Sequence, residues 1–216
     1  MARITVLGGT GYAGSAIVAE AAKRGHDVTA VSRTAPAASI DGVEYVTGSV
    51  TDAALLASVV DGRDVVISAL SPRGDMAGKV EAILDDLAIR VRGTGARLGH
   101  IGGASSLLVS EGGPRLWDLS KEHVPADVRP EIETGLAILD SFKATDADVD
   151  WFYVSPPENF GAWIDAPITG TYRLGGDVLL RDADGVSTIS AADLALAVLD
   201  EVETPAHRRA RFTAAL

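Results

Sequence analysis

Apolar positions along the first hundred or so residues alternate between two rhythms. Short apolar runs recur at Ile4–Leu7, Asp27–Val31, 43–46, Asp64–Leu70 and Leu98–Ile101. Between them lie segments with helical spacing: 12–24, closed by Gly25, and 52–60, with Thr51 or Asp52 as its cap. The clearest helix is marked by Val80, Ile83, Leu84, Leu87 and Val91. Strand-like and helix-like segments in this order predict βαβ units around a parallel sheet. Pro130 opens a further helix that is expected to bury Ile132, Leu136, Leu139 and Phe142. A sixth strand is expected over Val149–Val154.

The rhythm breaks in two places. Residues 103–129 are irregular and rich in Gly, Ser and Pro, and a loop of that length in a compact domain is usually functional or disordered. In the last quarter, Tyr172–Leu174 and Val178–Leu180 flank Gly175-Gly176 and read as a hairpin. Ser190 and Asp193 form a capping box before a helix containing Leu194, Ala197, Val198 and Val202, and Arg211–Thr213 suits a last strand. The pattern predicts one α/β domain over 1–216. Its fold class is a doubly wound, mainly parallel sheet with a small C-terminal lobe. Segments 103–129 and about 156–188 are expected on the substrate side.

Composition narrows the function classes. A chain of 216 residues, 47% hydrophobic and 23% charged, suits a soluble domain. No apolar run is long enough to span a bilayer, and MARITVLGG lacks the layout of a signal peptide, so a cytoplasmic protein without a membrane partner is expected. The absence of cysteine removes disulfides, thiolate metal sites and cysteine nucleophiles. The four histidines, at 26, 100, 123 and 207, show no metal-ligand spacing. A net charge of −11 repels nucleic acid, and a phosphorylated cofactor would need local features that overcome the general field.

Such a feature follows the first strand. Gly8-Gly9-Thr10-Gly11-Tyr12-Ala13-Gly14 opens the first helix in the context of a dinucleotide-binding turn. Gly8 permits the tight turn, Gly11 lets backbone approach a pyrophosphate, and Gly14 allows close packing of the helix. Exposed N–H groups at 11–13 and the helix dipole attract the anion. The second strand ends Ser32-Arg33-Thr34, with no acid to hold a ribose 2′-hydroxyl. Arg33 is therefore the candidate partner of a 2′-phosphate, flanked by the neutral donors Ser32 and Thr34, and NADP(H) is expected over NAD(H).

The spacing Gly-x-x-Gly-x-x-Gly resembles that of extended and atypical short-chain dehydrogenases. More of the chain agrees: VTAVSR at 28–33, VISAL at 66–70, HIGGASSL at 100–107, DWFYVSPPENF at 150–160 and GVSTISAADLALAVLDEVE at 185–203. With these motifs the chain resembles the atypical short-chain dehydrogenases grouped as NAD(P)H-binding proteins and NADH-flavin reductases. These are similar to biliverdin reductase B and NmrA-like proteins. The resemblance implies a Rossmann-type fold and a cofactor path. Gly48 and Ser49 would lie near adenine, although the family often carries Asp where Ser49 stands. Ser68, Ala69 and Leu70 would line the cofactor, and Gly102, Gly103 and Ser105 would reach the nicotinamide. Ser155, Pro156 and Asn159 would close the other side of the ring, with Asn159 toward the substrate.

The chain departs from typical members in its acid. Four residues beyond Tyr12, Tyr45, Tyr153 and Tyr172 stand Ala16, Ser49, Pro157 and Gly176, so the Tyr-x-x-x-Lys dyad is absent. Ketone reduction gains much from a positioned proton donor. A flavin or quinone delocalises the incoming charge, so hydride transfer to a small conjugated acceptor is the expected chemistry. Ser105 is the candidate catalytic residue, orienting nicotinamide or acceptor. Trp117 is a candidate to stack on the acceptor ring. Arg115, His123 and Glu158 have weaker claims, Tyr153 reads as core, and His100 as structural. The alternative is a redox sensor of the NmrA-like kind that binds NADP(H) without chemistry. An epimerase or dehydratase fits the missing dyad less well. A monomer or homodimer is expected.

Overall fold

The computed structural model describes residues 1–216. Strands β1 (Arg3–Leu7), β2 (Asp27–Ser32), β3 (Val43–Thr47), β4 (Val65–Ser68), β5 (Arg97–Ile101) and β6 (Asp150–Ser155) alternate with helices. These are α1 (Tyr12–Lys23), α2 (Ala53–Val60), α3 (Val80–Val91), a short α4 (Leu116–Ser120) and α5 (Arg129–Ala144). The chain closes with β7 (Arg173–Gly175), α6 (Ala191–Glu203) and β8 (Ala210–Ala215). The sheet order is β3-β2-β1-β4-β5-β6-β8-β7, and only the β7–β8 pair is antiparallel. The doubly wound α/β fold expected from the sequence is present.

Side chains of a strand alternate between faces, and the sheet uses both. Leu7, Val31, Val66, Leu98 and Trp151 pack with α2, α3 and α5. Ile4, Val6, Val28, Ala30, Ile67 and Val154 pack with α1 and α6 on the other side. The strand order reverses between β1 and β4. That switch point opens a crevice at the carboxyl ends of the strands, the usual ligand position in open α/β sheets.

The structure selects one of two caps offered for α2 and corrects four other readings of the sequence. Asp52, not Thr51, caps α2, accepting from the Ala54 and Leu55 amides at 2.9 and 3.2 Å. Segments 172–174 and 178–180 do not form a hairpin. Instead β7 adds to the free edge of β8, while the Leu179 amide donates to the Leu108 carbonyl at 2.8 Å. Residues 103–129 are not wholly irregular, since they hold a 3-10 turn (Ala104–Ser106) and α4. In α5, Ile138, Leu139 and Phe142 are buried, but Ile132 and Leu136 line a cavity instead. Ser190 caps α6 through the Asp193 amide at 3.0 Å, yet Asp193 turns away to hold the Thr169 and Gly170 amides at 2.9 and 2.8 Å. Half of the capping box thus ties the C-terminal lobe to the body.

Candidate functional site

The glycine turn is shaped by close backbone packing. Gly8 has φ +82°, and the Gly8 and Gly9 amides both donate to the Val31 carbonyl, at 2.9 and 3.0 Å. A Cβ on Gly14 would lie 2.1 Å from the Gly8 carbonyl oxygen, and one on Gly9 would lie 2.8 Å from the Ala30 Cβ. So Gly14 packs on the turn itself, and Gly9 supplies the close contact with β2. Thr10 sits inside the turn closed by the Gly11 amide on the Gly8 carbonyl at 2.9 Å. Gly11 is the N-cap of α1, with no side-chain cap and no acid in the first turn. The first amides of a helix have no intrahelical acceptor. Here the Tyr12 and Ala13 amides have no acceptor and both residues line open space beside Gly11, whose own amide is held by Gly8. Uncapped amides, a positive helix end and a cradle that a Cβ would fill fit a dinucleotide pyrophosphate.

That space is a cavity of about 460 Å³. It runs from the glycine turn along Ala69–Arg73 and Ile101–Ser106, under the first half of α5, to Pro156–Glu158 and Phe160–Trp163. Of the residues singled out in the sequence, Gly11, Tyr12, Ala13, Ala69, Leu70, Gly102, Gly103, Ser105 and Pro156 are brought together here. Ser68 and Ser155 lie beneath the floor, fully buried. Ser68 Oγ is 3.2 Å from His100 Nδ1, and Ser155 Oγ is 3.5 Å from Ser106 Oγ.

Other candidates lie elsewhere. Ser32 Oγ donates to the Thr34 carbonyl at 2.6 Å, and the Gly48 amide donates to the Ser32 carbonyl at 2.9 Å, so the ends of β2 and β3 are stitched together outside the cavity lining. Ser49 pairs with Thr51 at 2.7 Å. Arg33 is exposed but not free: it forms an ion pair with Asp75 in the 3-10 turn after β4. Its guanidinium holds the Asp75 carboxyl below the usual range. Trp117 does not line the cavity. It is 9% exposed and packed into the body, whereas Trp163, 67% exposed, stands at the mouth. Asn159 is exposed outside the lining, its backbone bonded to Ser187 and Thr188.

The cavity floor carries two uncharged polar groups. Burial pushes His100 down to about 3 and Tyr153 up to about 12. The rings stand 5.4 Å apart, and the Tyr153 hydroxyl donates to the Gly135 carbonyl at 3.2 Å. Gly102 must be glycine, because a Cβ there would lie 1.9 Å from Tyr153 Oη. At the mouth, Arg73 pairs with Glu131 at 2.5 Å and lies over the Trp163 ring at 5.2 Å. Glu158 pairs with Arg181 at 2.5 Å, and the Tyr12 and Phe160 rings meet at 5.1 Å. The sequence reading missed Arg73, Glu131, Phe160 and Trp163. Only Glu131 carried a usable signal: it shares the face of α5 that bears Gly135, the face turned to the cavity. No cluster of three or more His, Asp or Glu is arranged to hold a metal ion.

The NAD(P)H-binding family model matches residues 8–205, nearly the whole chain. The chain belongs to the NAD(P)H-binding family. It is 35% identical over 213 residues to the uncharacterised protein YwnB of Bacillus subtilis (strain 168), covering 98% of this chain and 97% of that one. A Streptococcus pneumoniae TIGR4 protein provisionally assigned as an NADH-flavin reductase superposes with a TM-score of 0.84 at 30% identity, covering 100% of this chain and 99% of that one. A Bacteroides thetaiotaomicron protein provisionally assigned as an epimerase gives 0.83 at 32% identity, with coverage of 100% and 97%. The family supplies a nicotinamide cofactor, whose reduced ring carries a transferable hydride. The cradle described above is the part of this NAD(P)H-binding protein that fits it.

Proposed function

We propose that this protein is a cytoplasmic reductase, monomeric or homodimeric, that uses NADPH to reduce a small conjugated acceptor such as a flavin or quinone. The observation that carries this reading is the largely apolar cavity beside the glycine turn, whose polar floor offers no ready acid. Amides at Tyr12 and Ala13 bind the pyrophosphate beside Gly11, and Gly102, Gly103, Ser105 and Pro156 frame the nicotinamide. The Tyr153 hydroxyl proton is engaged by the Gly135 carbonyl and made harder to release by burial, and His100 is a neutral imidazole, a poor acid. With no donor in place, catalysis rests on positioning, water exclusion and an acceptor that spreads the charge itself. Solvent at the open mouth provides the proton.

Arg33, just after β2, takes the 2′-phosphate in this reading by exchanging its bond to Asp75. A sensor without chemistry has no need of an apolar space of about 460 Å³ beside the ring, which favours the enzyme. The test is NADPH consumption by purified protein with FMN, riboflavin and a simple quinone in turn. Turnover above the protein-free rate supports the reading. Tight NADPH binding with background turnover for every acceptor returns the sensor.

A further inference from the structure

We infer that the acceptor is an uncharged planar ring, a quinone or an isoalloxazine without phosphate, and that Glu131 excludes anionic acceptors by neutralising Arg73. The inference rests on the reductase reading and concerns the opposite end of the cavity from the glycine turn. Three charged side chains line the cavity: Arg73, Glu131 and Glu158. The single cation is taken, since Arg73 is bonded to Glu131 and stacked on Trp163. Glu158 is matched by Arg181, which stands outside the lining. Arg211, behind Ser106, is bonded to Asp177 and to Ser106. Arg129, beside the wall residue Val128, donates to the Val124 carbonyl at 3.0 Å.

An anionic acceptor therefore meets only paired charges and no spare cation, in a chain of net charge −11. The two polar groups of the floor, His100 and Tyr153, are both uncharged at neutral pH. The rest of this wall is apolar: Ile132, Leu136 and Trp163, with Phe160 packed on Tyr12 toward the glycine turn. Such walls suit an apolar planar ring laid against aliphatic side chains and the Trp163 indole. The reaction balances as follows: hydride from the reduced nicotinamide and one proton from water convert quinone to hydroquinone, or isoalloxazine to its dihydro form, leaving oxidised nicotinamide.

Riboflavin and FMN share one ring and differ by a phosphate, so they isolate the charge. Two readouts are needed: quenching of flavin fluorescence by protein saturated with NADP+, which reports binding without turnover, and kcat/KM with NADPH. Wild type should favour riboflavin over FMN by roughly tenfold in both. Glu131→Gln releases Arg73 and should shrink the ratio to about threefold or less, mainly through the Kd and KM of FMN. Arg73→Met, which leaves both carboxylates, should widen the ratio, and it serves if Glu131→Gln fails to fold. Equal or tighter binding of FMN by wild type overturns the inference, as does a ratio that neither variant moves. Selective riboflavin binding without any NADPH oxidation would sustain the acceptor site and instead overturn the reductase reading.

Discussion

The two ends of the cavity are built by different means. The cofactor end is one contiguous turn in which backbone does the work: glycines that tolerate no Cβ, and amides left free by the start of α1. The end proposed for the acceptor is made of side chains from three distant segments, Arg73, Glu131 and Trp163, which meet only when the fold brings them together. A site held by backbone tolerates little change in sequence. One held by side chains can be re-specified one residue at a time. That is the physical basis for a common cofactor grip serving unlike acceptors.

Substitutions sharpen this contrast, beginning with the largest expected effect. Gly14→Ala forces a Cβ against the Gly8 carbonyl and should cost about 3 kcal/mol, the upper end of overpacking penalties, with loss of NADPH binding. Gly103→Ala, where a Cβ meets nothing within 4 Å, should leave the melting temperature nearly unchanged. Thermal melts with and without NADPH compare the two, and equal stability losses would remove the packing argument. Arg33→Ala should weaken NADPH by roughly tenfold and NADH little, while Asp75→Asn, which removes the competitor, should tighten NADPH by about two- to fivefold. Titration calorimetry reads both, and parallel losses for NADPH and NADH would dismiss Arg33 as the phosphate partner.

At the acceptor end, Ser105→Ala should lower kcat by roughly fivefold with NADPH affinity retained. Unchanged turnover would take Ser105 out of the reaction. The smallest effect concerns pH. With His100 near 3 and Tyr153 near 12, kcat/KM should show no inflection from either group between about pH 5 and 9. Stability should still respond. His100 is buried neutral while the unfolded chain takes up a proton below about 6.5, so stability falls as pH drops beneath that value. His100→Gln should remove that slope in denaturant melts.

Much of the scaffold was legible because its signals are local. Strands β1–β6 and the main helices follow the hydrophobic period, and the glycine turn announces itself by position after β1. The partner of β7 was not legible. A glycine pair between two short apolar runs favours a hairpin locally, and the free edge of β8 lies some forty residues away in sequence. Trp117 and Trp163 posed a similar problem. Each lies in a polar, irregular segment, and which of them reaches the cavity depends on how that segment crosses the body. Tyr153 was read as core and is buried, but its hydroxyl end forms part of the floor. Placing it there needed the gap left by Gly102 after β5 and the Gly135 carbonyl of α5 that accepts its hydroxyl proton.

The most direct test of hydride transfer to a conjugated acceptor is the primary isotope effect. NADPH deuterated at the transferred C4 position would be compared with ordinary NADPH in single-turnover reduction of a neutral quinone. A rate above the protein-free background that slows by roughly two- to fourfold on deuteration is the predicted result, since C–H cleavage at that carbon is the chemical step. NADPH that binds tightly yet passes no deuterium to solvent or acceptor above background would contradict the account and leave a binding protein without chemistry.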